Sequence, residues 1–281
     1  MSKITELFGH YHNANVDWRK IVEEQNCPFL DKKCIKVRKS QPDMSIGTCV
    51  VSYGKLNTPI IICPHRFRER FQVFFDCLHL LTQHEPGNEL HIIPEISVPG
   101  GNIDYFLVSS LDRRVRDFVA IEVQTLDTTG TLWPERQRFL QEKDVVTVMQ
   151  SNRPYGMNWK MTAKTILVQL HHKIQTLERL NKHLVLVVQN SLLEYMNREF
   201  QFTHIKQARL GDSMQFHAYD LILTDTKPRI QLARRLSINT EGIARCLGLQ
   251  AETKVELEVI KKQLEAKISD RTLLQINHVK Q

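Results

Sequence analysis

EISVPGGNIDYFLVSSLDRRVRDFVAIEVQ, residues 95–124, is the stretch whose reading decides the fold. Residues 103–108 and 118–123 are short apolar runs bounded by turn-forming or charged residues, the mark of buried strands. Each carries an acid that a buried strand does not accommodate: Asp104 in the first and Glu122 in the second. Closing the polar connector 109–116 with Ser109 opposite Asp117 puts Asp104 directly across from Glu122. The two-residue period of a strand then gathers Asp104, Glu122 and Gln124 on one face. A turn at residues 99–102, where Gly100 and Gly101 suit positive φ, sets Ser97 opposite Asp104. Glu95 then falls on the same face, one diagonal step away. Directly opposed side chains stand about 4.5–5.5 Å apart at Cβ, and like charges there repel.

Three carboxylates and a carboxamide on one face cannot all stay charged unless something positive lies among them. A hard divalent cation that takes oxygen ligands, such as Mg²⁺, meets the need. Solvation at strand ends, or pairing with Arg113, Arg114 or Arg116, is the alternative.

The chain has 281 residues, room for one large domain or two modest ones, and 42% of them are hydrophobic, enough for a sizeable core. No apolar run approaches the roughly 18 residues of a membrane span, and the N-terminal MSKITELFGH has no signal-peptide core. A soluble, cytoplasmic protein is expected. Lys and Arg outnumber Asp and Glu by 38 to 31, a net charge of +7. That balance around an acidic cluster suits a polyanionic substrate met through a metal, although charge alone is weak evidence of nucleic-acid binding.

Four of the six cysteines, Cys27, Cys34, Cys49 and Cys63, fall in a turn-rich segment with little apolar material of its own. A tetrahedral thiolate site for zinc or iron would order such loops. Four scattered reduced thiols is the competing reading, because the spacing is not that of paired C-x2-C knuckles.

The coarse order along the chain follows from periodicity. Residues 4–12 and 16–24 are short amphipathic stretches with the spacing of one to three helical turns. Residues 66–84 predict one amphipathic helix, with Phe67, Phe71, Phe74, Phe75, Leu78 and Leu81 on or near its apolar face. Residues 90–98 form the first strand before the hairpins. Beyond Gln124, Thr125, Asp127, Thr128 and Thr129 occupy a loop suited either to substrate contacts or to capping turns. A helix over 159–180 buries Ile166, Leu170, Ile174 and Leu177. Residues 183–189 form a central strand, 191–199 a helix and 216–223 a strand. From Lys227 onward the pattern predicts helices, the last with a stripe of Leu257, Ile260, Leu264 and Ile268. Composition divides the chain into an N-terminal cysteine-bearing region (1–64), an α/β core (65–226) and a C-terminal helical region (227–281).

The αβββαβ succession across 66–189 is the common core of the PD-(D/E)XK nucleases, with Asp104 and Glu122-Val123-Gln124 standing where that fold carries D…(D/E)-x-K. Gln124 departs from the usual lysine. With CPFLDKKC at 27–34, GTC at 47–49, IICPHRF at 61–67, PEISVPGGNIDYF at 94–106 and AIEVQTLDTTG at 120–130, the chain resembles the NotI family of type II restriction endonucleases over roughly 27–190. The resemblance implies a structural iron on Cys27, Cys34, Cys49 and Cys63. It also implies Mg²⁺-dependent cleavage of double-stranded DNA by Glu95, Asp104, Glu122 and Gln124. A homodimer acting on a GC-rich palindrome such as CGGCCG is implied as well, beside a methyltransferase that modifies the same site. Arg66, Arg68, Arg113, Arg114, Arg136 and Arg138 are all open as DNA contacts. A structure-specific repair nuclease of the same fold, and a DNA-binding protein without catalysis, are the rival functions.

Overall fold

Residues 4–12 do not form a helix. In the computed structural model, which describes residues 2–147, 155–200, 202, 205–224 and 227–247, β1 (Ile4–Leu7) and β2 (His10–Tyr11) make a hairpin about Phe8 and Gly9. All four residues of β1 are buried, because β1 pairs with a distant partner, β3 (Thr48–Tyr53), which pairs in turn with β4 (Thr58–Ile61). Tertiary pairing overrides a weak local periodicity here. The second stretch is helical as predicted: α1 (Trp18–Glu24) begins at Asp17, whose carboxylate accepts the Arg19 and Lys20 amides.

The single helix predicted over 66–84 is broken. Pro64–Phe71 and Leu78–Leu80 are 3₁₀ turns flanking one α-turn, Gln72–Phe75, and Arg70 and Phe71 take left-handed φ values of 51° and 56°. Phe67, Phe74 and Leu81 are buried while Phe71 and Phe75 are exposed, so the apolar stripe is split. The cause lies in Arg66, drawn into the interior at 1% exposure. Its Nε lies 2.8 Å from Glu6 Oε2, its Nη1 2.9 Å from Glu69 Oε2, and its Nη2 donates to the Pro228 carbonyl at 2.7 Å.

The strands of the opening stretch are longer than their apolar cores. β5 (Glu89–Val98), β6 (Gly101–Leu111) and β7 (Arg114–Gln124) form an antiparallel meander. The polar connector is itself strand, closed by Asp112 and Arg113, both at positive φ. After α2 (Trp133–Glu142) and α3 (Trp159–Arg179), β8 (His183–Gln189) lies parallel to β7. α4 (Asn190–Phe200), β9 (Lys206–Gln207) and β10 (Met214–Leu223) follow. Pro228–Ile238, predicted helical, is strand β11: Pro228 and Ile230 are buried, Arg229 and Gln231 are exposed, and the whole length pairs with β10. Alternation with a period of two suits an edge that β10 leaves open. Helix α5 (Thr240–Cys246) agrees with the prediction, and the stripe Leu257 to Ile268 lies outside the described residues.

The sheet order is β9-β11-β10-β8-β7-β6-β5. Phe106, Ala120 and Leu186 pack with Ile166, Leu170 and Ile174 of α3. Leu107, Val119 and Val185, on the opposite parity, pack with Phe67, Phe74 and Leu80 of the broken segment. Gln189 at the end of β8 stitches β4 on: its Oε1 accepts the Ile61 amide at 2.9 Å and its Nε2 donates to the Pro59 carbonyl at 2.7 Å. The described residues up to Leu247 accordingly form one unit, joined across both boundaries drawn from composition. Among them no helix is long and apolar enough to cross a membrane.

Removing Arg66 strands the buried Glu6 carboxylate, which is 1% exposed. Arg66→Ala is expected to cost about 3–5 kcal/mol in denaturant unfolding, with part of the loss recovered in Arg66→Ala/Glu6→Gln.

Candidate active site

β6 and β7 adopt the register read from the sequence. Ser109 faces Asp117, and the pairs run one for one to Tyr105 opposite Ile121. The next step places Asp104 across from Glu122, and the Asp104 carboxylate accepts the Val123 N–H at 2.8 Å. The other hairpin turns one residue earlier than predicted. Val98 pairs with Gly101, leaving only Pro99 and Gly100 in the turn, so Asp104 lies between Ile103–Ile96 and Tyr105–Pro94 pairs. Glu95, not Ser97, therefore faces Asp104 directly. Glu95 interrupts β5 with a φ of 52°, and its side chain is exposed.

The three carboxylates sit differently. Burial pushes the Asp104 pKa up, opposed by the Val123 amide and the Lys173 charge and reinforced by Glu95. Glu122 is pushed up to about 7 by burial first and by the Asp104 charge second. Against this, Lys173 Nζ stands 2.7 Å from Glu122 Oε1, with both side chains close to buried at 8% and 12% exposure.

The partner charge is Lys173 of α3, not one of the arginines that the alternative to a metal offered. Arg113, Arg114 and Arg116 are exposed near the far end of the hairpin. Eight residue steps along the strand, about 26 Å, separate Asp104 from the turn at Asp112. The signal for Lys173 was present: it lies three residues beyond Leu170 and seven beyond Ile166, on the flank of the buried stripe. The turn Pro99-Gly100 rests on this part of α3. A Cβ on Gly100, whose φ is 102°, would stand 3.0 Å from the His172 carbonyl carbon and 3.1 Å from the Lys173 amide nitrogen. Thr176 Oγ1 donates to the Pro99 carbonyl at 2.8 Å.

Gln124 shares the face of Glu122, as predicted, and its Nε2 donates to the Thr125 carbonyl at 2.8 Å, leaving Oε1 as the free acceptor. A narrow cleft is lined by Glu122, Gln124, Gln169 and Lys173. The loop beyond serves structure: Asp127 bonds through its amide and carboxylate to Thr162 Oγ1, and Thr128–Thr129 pairs with Gly156–Met157.

Cys27, Cys34, Cys49 and Cys63 are all buried and none is in a disulfide. The Cys49 and Cys63 thiols hydrogen-bond to each other, which holds Cys63 down to about 7 and drives Cys49 well up. Burial raises the Cys27 pKa, with Cys34 and Cys63 adding to it. Cys27 and Cys34 pack in the core cluster on the α3 side of the sheet, and Cys49 and Cys63 in the cluster on its other side. Among the described residues, no three His, Cys, Asp or Glu side chains are drawn up around one point as metal ligands. Arg136 stands beside this group at 1% exposure. Its Nε donates to the Ile46 carbonyl at 2.8 Å and its Nη2 has no partner. Burial lowers its pKa to about 10, and Cys34 is the group that acts in the other direction.

A model of one protein family, Restriction endonuclease NotI, matches residues 16–222. The chain belongs to the NotI restriction endonuclease family. It is a nuclease, and DNA is its substrate. The matched residues include the four cysteines, the three carboxylates, Gln124 and Lys173. A search of curated proteins found no match.

Membership narrows what the arginines can do for this NotI-family enzyme. Arg66 and Arg136 are buried and cannot reach a base edge as they stand. Arg138 is committed to Glu135 at 2.9 Å, and Arg68 lies over the Tyr105 ring. Arg113, Arg114 and Arg116 remain exposed.

Because the Glu122 pKa lies above its ordinary value of 4.5, at about 7, its contribution to stability is complete below about pH 4.5 and is lost as the pH rises through about 7. The metal-free protein is expected to lose thermal stability between pH 5 and 8, and Glu122→Gln to flatten that slope.

Proposed function

We propose that the chain is a type II site-specific deoxyribonuclease on a PD-(D/E)XK core, hydrolysing double-stranded DNA with Mg²⁺. The observation that carries this reading is the register that sets Asp104 against both Glu95 and Glu122 at one end of the meander. The donors fit a hard cation: all are oxygens, and the site already recruits a positive charge in Lys173. Glu95, Asp104 and Glu122 would hold one or two Mg²⁺ ions. Held by these residues, Mg²⁺ would supply acidification of a water and a positive charge opposite the attacked phosphate. The protein's own groups prepare the rest. The Val123 amide fixes Asp104, the Thr125 carbonyl fixes the Gln124 amide, and Gln124 Oε1 is left to accept a hydrogen bond from the attacking water.

The target is a GC-rich palindrome, of the kind that the similar enzyme EagI cuts within CGGCCG. A two-fold homodimer would present one active site to each strand. Guanine edges would be read by Arg or Lys. A companion methyltransferase would protect the same sites in the bacterial cytoplasm. This reading is favoured over the repair nuclease and the non-catalytic DNA-binding protein by membership of the NotI family.

Iron, or alternatively zinc, on Cys27, Cys34, Cys49 and Cys63 completes the proposal. A tetrathiolate centre carries net negative charge. Arg136, buried beside Cys34 without a carboxylate and with one nitrogen unpartnered, is suited to offset it.

Digestion of a DNA of known sequence with Mg²⁺ is expected to yield discrete fragments whose sequenced ends share one palindrome. Glu122→Ala is expected to lower the cleavage rate at least about 10³-fold while DNA binding persists. A smear, or an active Glu122→Ala, would count against the reading. Metal analysis is expected to find about one iron or zinc per chain, lost in Cys49→Ser together with thermal stability.

A further inference from the structure

Position 124, where the fold's pattern has a lysine, holds an uncharged glutamine whose amide is committed to the Thr125 carbonyl. The acidic end of the sheet nevertheless has a cation. Lys173 reaches it from the opposite layer, and it acts on both Asp104 and Glu122. Its ammonium has three donors, and the described structure commits one of them, to Glu122 Oε1.

The lysine is also held in place. The Pro99-Gly100 turn joins the strand bearing Glu95 to the strand bearing Asp104, and it bears directly on the α3 backbone at His172 and Lys173. A Cβ on Gly101 would stand 3.4 Å from Lys173 Cε, so the stem runs along this glycine. One turn thus ties the lysine to both carboxylate-bearing strands, within the tolerance that catalysis demands. A lysine serving only as a counter-ion needs no such seat. It could equally have come from a neighbouring position on the sheet.

We propose that Lys173 is a catalytic residue, whose ammonium, delivered from α3 in place of a lysine at position 124, donates a hydrogen bond to a non-bridging oxygen of the scissile phosphate. It remains protonated throughout and transfers no proton. It offsets the charge that builds on the phosphate as the water attacks and the 3′ oxygen leaves. The proposal rests on the nuclease reading above.

The test is single-turnover cleavage of a duplex carrying the mapped site, with Mg²⁺, alongside DNA affinity with Ca²⁺ in place of Mg²⁺. Lys173→Met is expected to slow cleavage about 10²–10³-fold with affinity changed less than about threefold. Lys173→Met/Gln124→Lys, which returns an ammonium to the same face from β7, is expected to recover at least about tenfold of the loss. A folded Lys173→Met that cleaves within threefold of the wild type overturns the proposal, and so does a slow variant that the second substitution leaves unrescued. Should Lys173→Met fail to fold, Lys173→Gln still donates to Glu122 Oε1 without a charge and decides in the same way. If both neutral variants fail to fold and adding Gln124→Lys restores neither folding nor cleavage, the lysine belongs to the fold alone and the proposal is overturned. A wild-type protein that cuts no DNA would instead sink the nuclease reading, which these variants leave separable.

Discussion

The alignment of β6 against β7 is the constraint on which the rest of the site depends. Ser109 opposite Asp117 fixes every later pair, because a strand slipped by one residue turns its whole side-chain set to the other face. The chain secures this alignment far from the carboxylates. Asp117 is buried, bonded to Lys182 at 2.6 Å and to the Gln83 amide at 3.0 Å, and Ser109 accepts from Asn88 and meets His84. Apolar residues between the two ends hold the register through burial on both faces. An energetically ordinary polar cluster at one end of the hairpin therefore determines where unlike chemistry appears at the other.

Uncompensated carboxylates are expensive to bury, and the fold answers in two ways. At Glu6 it supplies Arg66 and closes the group off from solvent, which binds the N-terminal sheet to β11 through the Pro228 carbonyl. At Glu122 it supplies a single lysine and leaves Glu95 exposed and Asp104 part-buried beside it. The first arrangement is saturated and structural. The second keeps unused donors and acceptors, and sites that act on a substrate have that character.

The errors of sequence reading have one origin. Residues 66–84 have helical spacing, and Phe67 and Phe74 are indeed core, yet the ion pairs of Arg66 with Glu6 and Glu69 and the left-handed pair Arg70–Phe71 break the helix. Residues 4–7 became strand because β3 offers an edge, and Pro228–Ile238 because β10 does. In each case a partner outside the segment decides: it lies tens of residues away for residues 4–7 and for Arg66, and directly before the strand for β11, and periodicity within one segment does not show it. Lys173 was missed for a related reason. Its placement on the flank of an apolar stripe was legible, but which strand that flank meets was not.

The sequence by itself determined the three-strand meander, the common face of Asp104, Glu122 and Gln124, the central strand β8 and the buried stripe of α3, because alternation and helical spacing are local consequences of burying one side of an element. Tertiary structure alone decided that Glu95 faces Asp104 directly, that Cys27, Cys34, Cys49 and Cys63 are all buried, and that the site's positive charge comes from a helix. Those outcomes depend on how layers stack and at which residue a turn closes. The stacking brings together side chains whose separation along the chain says nothing of their separation in space.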